Sequence, residues 1–229
     1  MAALDFPSNP TNGQTYENFV YDTSITAWRN QGSPSGLAGA VTTLQNTTGL
    51  RNVIPTSIGI SGGSATVSAN GEVVFTGTSG ITLNNIFSTA YRNYRVVIAG
   101  LIPATGAPTI LGRFTDAAGS AFTSSLYYDG GVRVNLGTVS GVNNTTADRM
   151  ELLGAADPGA YNTITMELRN PNTIAFTNWQ NTGSGWASGN RETVLGGFVD
   201  ATTQLYGLQI YAATGTQIQG SVTVYGYNK

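Results

Sequence analysis

The only side chains in this sequence equipped for acid–base chemistry are its carboxylates. The 229 residues include no His and no Cys, and the sole lysine is Lys229. An imidazole base, a thiolate nucleophile, a Cys/His zinc site and a disulfide are all excluded on residue type. Gly59-Ile60-Ser61-Gly62-Gly63 matches the nucleophile-elbow pattern G-x-S-x-G in form. Its serine has no histidine to take the proton and no helical pattern follows, so it reads as a Gly-rich linker. Glu167, Asp200, Glu192 and Asp157 remain as acid/base candidates, since two carboxylates ~5–10 Å apart suffice for glycoside hydrolysis. Glu167 lies on the outward face of a strand pattern and the others lie near turns, where solvated carboxylates are ordinary. No oxygen-rich acidic run resembles a calcium loop, and neither metal nor cofactor is assigned.

Binding chemistry is better represented. Trp179, Trp186, Tyr127, Tyr128, Tyr206 and Tyr211 offer flat apolar faces of the kind that sugar rings rest against, with Asn, Gln and Thr nearby as hydrogen-bond partners. The densest such stretch runs from Asn178 to Arg191, and Trp179, Trp186, Asn190 and Arg191 are its candidate ligand residues. Gly183, Gly185 and Gly189 let the backbone of that stretch, read as a loop, approach a ligand closely. The competing reading of both tryptophans is core or subunit-interface packing.

Composition narrows the partners. Asp, Glu, Lys and Arg make up 10% of the chain, against about 25% in an average soluble domain. The net charge is −2 and nine arginines are scattered singly, so no basic patch points to nucleic acid. No apolar run approaches the ~20 residues of a membrane span. The start, Met-Ala-Ala-Leu-Asp, lacks a signal-peptide pattern, so synthesis in a cytoplasm is expected. With 40% apolar and 10% aromatic residues the chain is expected to fold.

Three segments must position these residues. Residues 1–33 carry Pro7, Pro10 and Asn12-Gly13, then two extended runs, Thr15–Tyr21 and Ile25–Arg29, which read as an aromatic-braced hairpin. Such a hairpin is marginal alone and is expected to dock onto something larger, through Phe6, Pro7, Tyr16, Phe19, Tyr21 and Trp28. In residues 34–64, Leu37, Val41 and Leu44 follow a d-a-d spacing, the seam of a short coiled coil. Fewer than two heptads cannot hold a helix in isolation, so neighbouring chains or the rest of the protein must pack against it; an irregular linker is the alternative, and Arg51–Gly63 reads as extended linker. Residues 65–229 are strand and turn. Ile164, Met166 and Leu168 alternate with polar residues, as do Val132, Val134 and Leu136 after a hairpin signal at Asp129-Gly130. Eight or nine such runs predict an all-β fold, an antiparallel sandwich of jelly-roll type.

The run Leu4-Asp5-Phe6-Pro7-Ser8-Asn9-Pro10-Thr11-Asn12-Gly13-Gln14-Thr15-Tyr16, with Tyr21 and Ala27-Trp28, resembles a module at the start of many tailed-phage fibre and minor tail proteins. Gly36-Leu37, Val41 and Leu44 look like the short helix that follows the module there, although Gly and Thr stand where those helices carry charged or Ala-rich residues. Phe87–Val97 is similar to the opening of a phage β-sandwich domain of the same group. The resemblance implies a virion component, commonly a homotrimer. It would attach to other virion proteins through its N-terminus and present its C-terminal domain to a host-surface glycan or protein. A capsid head fibre or decoration protein shares that architecture, and a polysaccharide depolymerase is the enzymatic alternative. The resemblance carries no catalytic residues.

Overall fold

The structure is a computed structural model that describes residues 7–16, 19–30, 49–186, 190–200 and 203–227. The chain divides into two units, Met1–Gly49 and Leu50–Lys229. The helix expected over 37–48, with Leu37, Val41 and Leu44, lies outside the described residues, as does Phe6; among the described residues every regular element is a strand.

The first unit is a three-stranded antiparallel sheet of β1 (Thr15–Tyr16), β2 (Phe19–Asp22) and β3 (Ala27–Asn30), in that order. The β2–β3 turn is set by Asp22, whose Oδ1 accepts from the Ser24 amide at 2.8 Å and the Ser24 hydroxyl at 2.6 Å. That is the Asx geometry that makes Asp a turn residue. Trp28 sits between Tyr21 (5.4 Å between ring centroids) and Tyr16 (6.2 Å). No side chain described in this unit is buried. Its aromatics brace one another without closing a core.

The second unit runs through β4 (Arg51–Val53), β5 (Ser57–Ile60), β6 (Ser64–Val67), β7 (Val73–Thr78), β8 (Gly80–Asn84), β9 (Asn93–Pro103) and β10 (Ile110–Thr115). It continues through β11 (Tyr127–Asn135), β12 (Thr138–Ala147), β13 (Met150–Leu153) and β14 (Asn162–Arg169). It closes with β15 (Thr177–Trp186), β16 (Asn190–Val199), β17 (Gly207–Ala212) and β18 (Ile218–Tyr227). One sheet has the order β13-β10-β17-β8-β5; the other runs β12-β11-β16-β15-β14-β9-β18-β7-β6, with β4 also paired to β18. Every pairing is antiparallel, and the inward residues of both sheets form one core around Tyr94, Tyr127, Phe75, Phe87 and Phe114. This is an all-β sandwich.

Buried tyrosines hold the interior because their hydroxyls are used. The Tyr94 oxygen accepts from the Ser88 amide (2.8 Å) and donates to the Ser88 carbonyl (2.9 Å). The Tyr127 oxygen accepts from the Phe114 amide (2.9 Å) and donates to the Phe122 carbonyl (3.3 Å). Phe87 packs edge-on against Tyr94 at 4.9 Å, so the Phe87–Val97 stretch is core-building.

Residues 50–64 are not linker: they belong to the sandwich unit and contain β4 and β5. β5–β6 and β7–β8 form one long hairpin that bends from one sheet into the other, and the G-x-S-x-G segment is its corner. The Ser61 amide donates to the Gly80 carbonyl (3.0 Å), and the Ser61 carbonyl accepts from the Ser79 amide (3.0 Å). Gly63 takes φ +66° and faces Gly77 at φ +67°; a Cβ on Gly63 would overlap the backbone of Thr76 and Gly77.

β11 also departs from the expected pattern. Asp129-Gly130 lies mid-strand, and the turn comes at Leu136-Gly137, both at positive φ. Val132 (45% exposed) and Leu136 (53%) are exposed, whereas Arg133 faces inward to Glu151. The alternation is real but its polarity is reversed, because the far half of β11 has an ion pair rather than core beneath it.

Candidate functional site

The Asn178–Arg191 stretch is a strand pair, β15 with β16, in register from Thr177↔Val199 to Trp186↔Asn190, with residues 187–189 outside the described residues. This register divides the candidate residues between two faces. Trp179 is 3% exposed within the core, which removes it from any ligand-facing position. Arg191 shares the inward register of Thr193 and Leu195, pairing across to Gly185 and Asn135, and its Nε is buried without a partner. Trp186 and Asn190 are paired at the hairpin end, with side chains outside the description. Among the docking residues, Pro7, Tyr16, Phe19, Tyr21 and Trp28 lie in the first unit, each partly buried.

Of the candidate carboxylates, Glu167 and Asp157 make hydrogen bonds that hold the fold, and Glu192 and Asp200 lie at the surface. Glu167 accepts from Arg95 Nε at 2.5 Å on one oxygen and from the Tyr227 hydroxyl at 2.7 Å on the other. Burial, and after it that hydrogen bond, pushes the Tyr227 phenol up to about 12. Asp157 caps a turn through the Gly159 amide (2.6 Å), while Glu192 and Asp200 are exposed. Among the described residues no group of three or more acidic, His or Cys side chains is placed to hold a metal ion.

A cleft of about 270 Å³ lies between the two sheets, lined by Arg133, Arg149, Glu151, Asn144 and Thr109 among others. Arg133 binds Glu151 through two nitrogens. Asp148 receives both Arg113 and Arg149, and Arg113 lies 5.0 Å over the Tyr211 ring. These pairs join β10, β11 and β13 where the apolar core ends, so the cleft reads as a structural seam.

The outer face of β11, β16 and β15 has a different character. Tyr128 and Phe198 stand on neighbouring strands with their rings stacked (4.6 Å, 12° between planes), and Phe176 meets Phe198 edge-on at 5.4 Å. Phe176 is 55% exposed, and Ile174, two residues earlier, is 72% exposed. Beside them β15 presents Asn178, Gln180 and Thr182 to solvent. Their backbones are paired in the sheet, but none of the three side chains makes a hydrogen bond among the described residues. Period-two alternation places them there once Trp179 and Asn181 are inward. A partly exposed aromatic group, with Tyr128 and Phe198 half-buried and Phe176 open, beside unused amide donors and acceptors can hold a ligand that is apolar on one side and hydroxyl-rich on the other.

Of this group, Tyr128 was visible among the sequence's candidate aromatics. Phe198 and Phe176 were not, because only the β11–β16 register brings them to Tyr128.

No family model and no curated protein matches the chain. Among solved structures, the chain is similar to the carbohydrate recognition domain of Emp47p at 10% identity and a TM-score of 0.30. That match covers 78% of this chain and 94% of that domain. It is similar at the same identity and TM-score to a bifunctional GH43-CE protein of Bacteroides eggerthii, covering 74% of this chain and 20% of that one.

Proposed function

We propose that this chain is a bacteriophage virion protein, of the tail-fibre or minor-tail kind, that attaches the particle to its host by binding a surface glycan without cleaving it. The observation that carries the binding reading is the outer face of β11, β16 and β15. There a partly exposed aromatic group adjoins amide side chains free of hydrogen bonds within the chain, while Glu167 has both oxygens engaged. The virion reading is supported by the N-terminal residues that resemble the phage module, and by a first unit that folds into a sheet with no buried side chain among those described. A sheet of that kind gains its stability by docking, here onto other virion proteins. The sandwich then serves as the displayed unit. Each copy binds weakly, and several copies, three in the homotrimer proposed here, turn weak contacts into firm adhesion.

The test is incubation of the purified full chain with host cells and with their isolated envelope polysaccharide. Saturable retention without new reducing ends is the expected result. Release of reducing ends would make the chain a depolymerase, and retention on cells stripped of glycan would make the receptor a protein. Immunogold labelling of intact particles should place the chain on the tail; label on the head would make it a capsid fibre or decoration protein.

A further inference from the structure

Two pairs of adjacent glycines sit side by side in the display face, Gly130-Gly131 in β11 and Gly196-Gly197 in β16. Each pair has one inward and one outward member, and the backbone needs only the inward ones. A Cβ on Gly131 would overlap the Val194 carbonyl oxygen, and one on Gly197 the Tyr128 carbonyl oxygen. The outward members are directly paired, Gly130↔Gly196. Neither has a positive φ, and a Cβ on either would meet only ordinary contacts, the Val142 oxygen at 3.6 Å and the Trp179 oxygen at 3.5 Å. Glycine in a strand interior weakens it. Backbone geometry therefore does not account for glycine at either outward position.

What the two glycines create is an empty place in the side-chain layer. One rung away on the strands stand Tyr128 and Phe198; one rung the other way stand Val132 and Val194, 45% and 42% exposed. These walls are about 13 Å apart along the strands. Across the strands the same row continues to Asn143 on one side and Gln180 on the other, both exposed amides. Beyond Gln180 the row reaches Glu167, whose charge is already matched by Arg95. The furrow thus has apolar walls, amide ends and no unmatched charge.

We infer that the Gly130/Gly196 furrow is a subsite for one ring of a neutral, hydroxyl-bearing glycan. The ring's C–H face rests against the aromatic wall and its hydroxyls bond to Asn143 and Gln180. Apart from Arg95, which is paired with Glu167, no cation among the described residues stands in the furrow's own row or in its walls. Arg169, on the same face across from Asn178, lies one rung and two strands from Gly196. A carboxylate- or sulfate-bearing ring seated in the furrow thus has no cation beside it, and neutral sugars are selected. The inference rests on the glycan-binding reading above and adds to it the place of the ring and the charge class.

The test fills the furrow. Gly130→Thr and Gly196→Thr, singly and together, add a side chain where a Cβ has room and a strand former replaces glycine. Wild-type and variant full chains are compared on immobilised neutral hexose and N-acetylhexosamine oligosaccharides, with uronic-acid oligosaccharides alongside, and by thermal melting. The furrow predicts wild-type binding to the neutral set, an affinity loss of about tenfold or more in the double variant, and an unchanged or raised melting temperature. Variants that bind as well as wild-type overturn the furrow and leave the glycan reading standing. Wild-type binding confined to the acidic set overturns the neutral selection. A clear fall in melting temperature means that the glycines serve the backbone, and overturns the inference. Failure of the wild-type chain to bind any oligosaccharide overturns the glycan reading and the furrow with it.

Discussion

Trp179 and Phe176 lie three residues apart and do opposite work. Trp179 is buried between the sheets, so Trp179→Ala should destabilise the sandwich by about 3–5 kcal/mol, read by chemical denaturation. Phe176 is more than half exposed; Phe176→Ala should stay within about 0.5 kcal/mol of wild-type and instead lower retention on host glycan. The reverse pattern would exchange their roles. Tyr227 supplies a second test at this scale. Its folded value is raised from 10.0 to about 12, first by burial and then by its bond to Glu167. The protonated phenol is thus favoured by the fold, and its contribution is complete below pH 10 and lost as pH rises toward 12. Tyr94, Tyr127 and Tyr211 are raised by burial as well, so alkaline unfolding is a shared event. Tyr227→Phe should make stability fall less steeply between pH 10 and 12; an identical pH profile would show that the Glu167 bond is not linked to folding.

The bent hairpin of β5–β6 with β7–β8 carries the chain between the two sheets, and its corner needs a residue without a Cβ. Gly63→Ala forces a side chain into the Thr76–Gly77 backbone at positive φ, so a loss of at least about 1–3 kcal/mol is expected in denaturant unfolding. A neutral result would mean that the corner opens freely. Here sequence reasoning reached its limit for a physical reason. Ser61-Gly62-Gly63 has the composition of a flexible linker, and only the pairing with Gly77 and Gly80 turns it into a corner. β14 was legible because its alternation Ile164, Met166, Leu168 meets core along its whole length. β11 was half legible: its period of two is plain, but which face is inward depends on where the smaller sheet ends, a non-local fact. The same non-locality hid the candidate site, since Tyr128, Phe198 and Phe176 are far apart in sequence. Trp179-to-Arg191 attracted attention by composition, and its strand register sent Trp179 and Arg191 to the inner side.

At the scale of the whole chain, charge scarcity has consequences of its own. Without His or Cys, no side chain of the types that ordinarily titrate near neutrality is present, so thermal stability should be nearly flat from about pH 6 to pH 9. A slope there would point to the α-amino group, which titrates at about pH 8, or to a carboxylate shifted far upward. In assembly, a chain beginning at Ser35 should keep the sandwich's melting transition and fail to enter particles; normal incorporation would move the attachment surface elsewhere. Sedimentation at micromolar concentration should give three times the monomer mass, and a persistent monomer would remove the trimer. The central claim, that the sandwich's outer face attaches the particle to its host, is tested most directly by competition. Host cells are preincubated with saturating purified wild-type chain, or with the Gly130→Thr/Gly196→Thr variant, and adsorption of particles carrying this protein is counted. The account predicts that the wild-type chain blocks adsorption and that the variant, equally folded, needs about ten times the concentration or more to block it as fully. Full adsorption in the presence of saturating wild-type chain would contradict it.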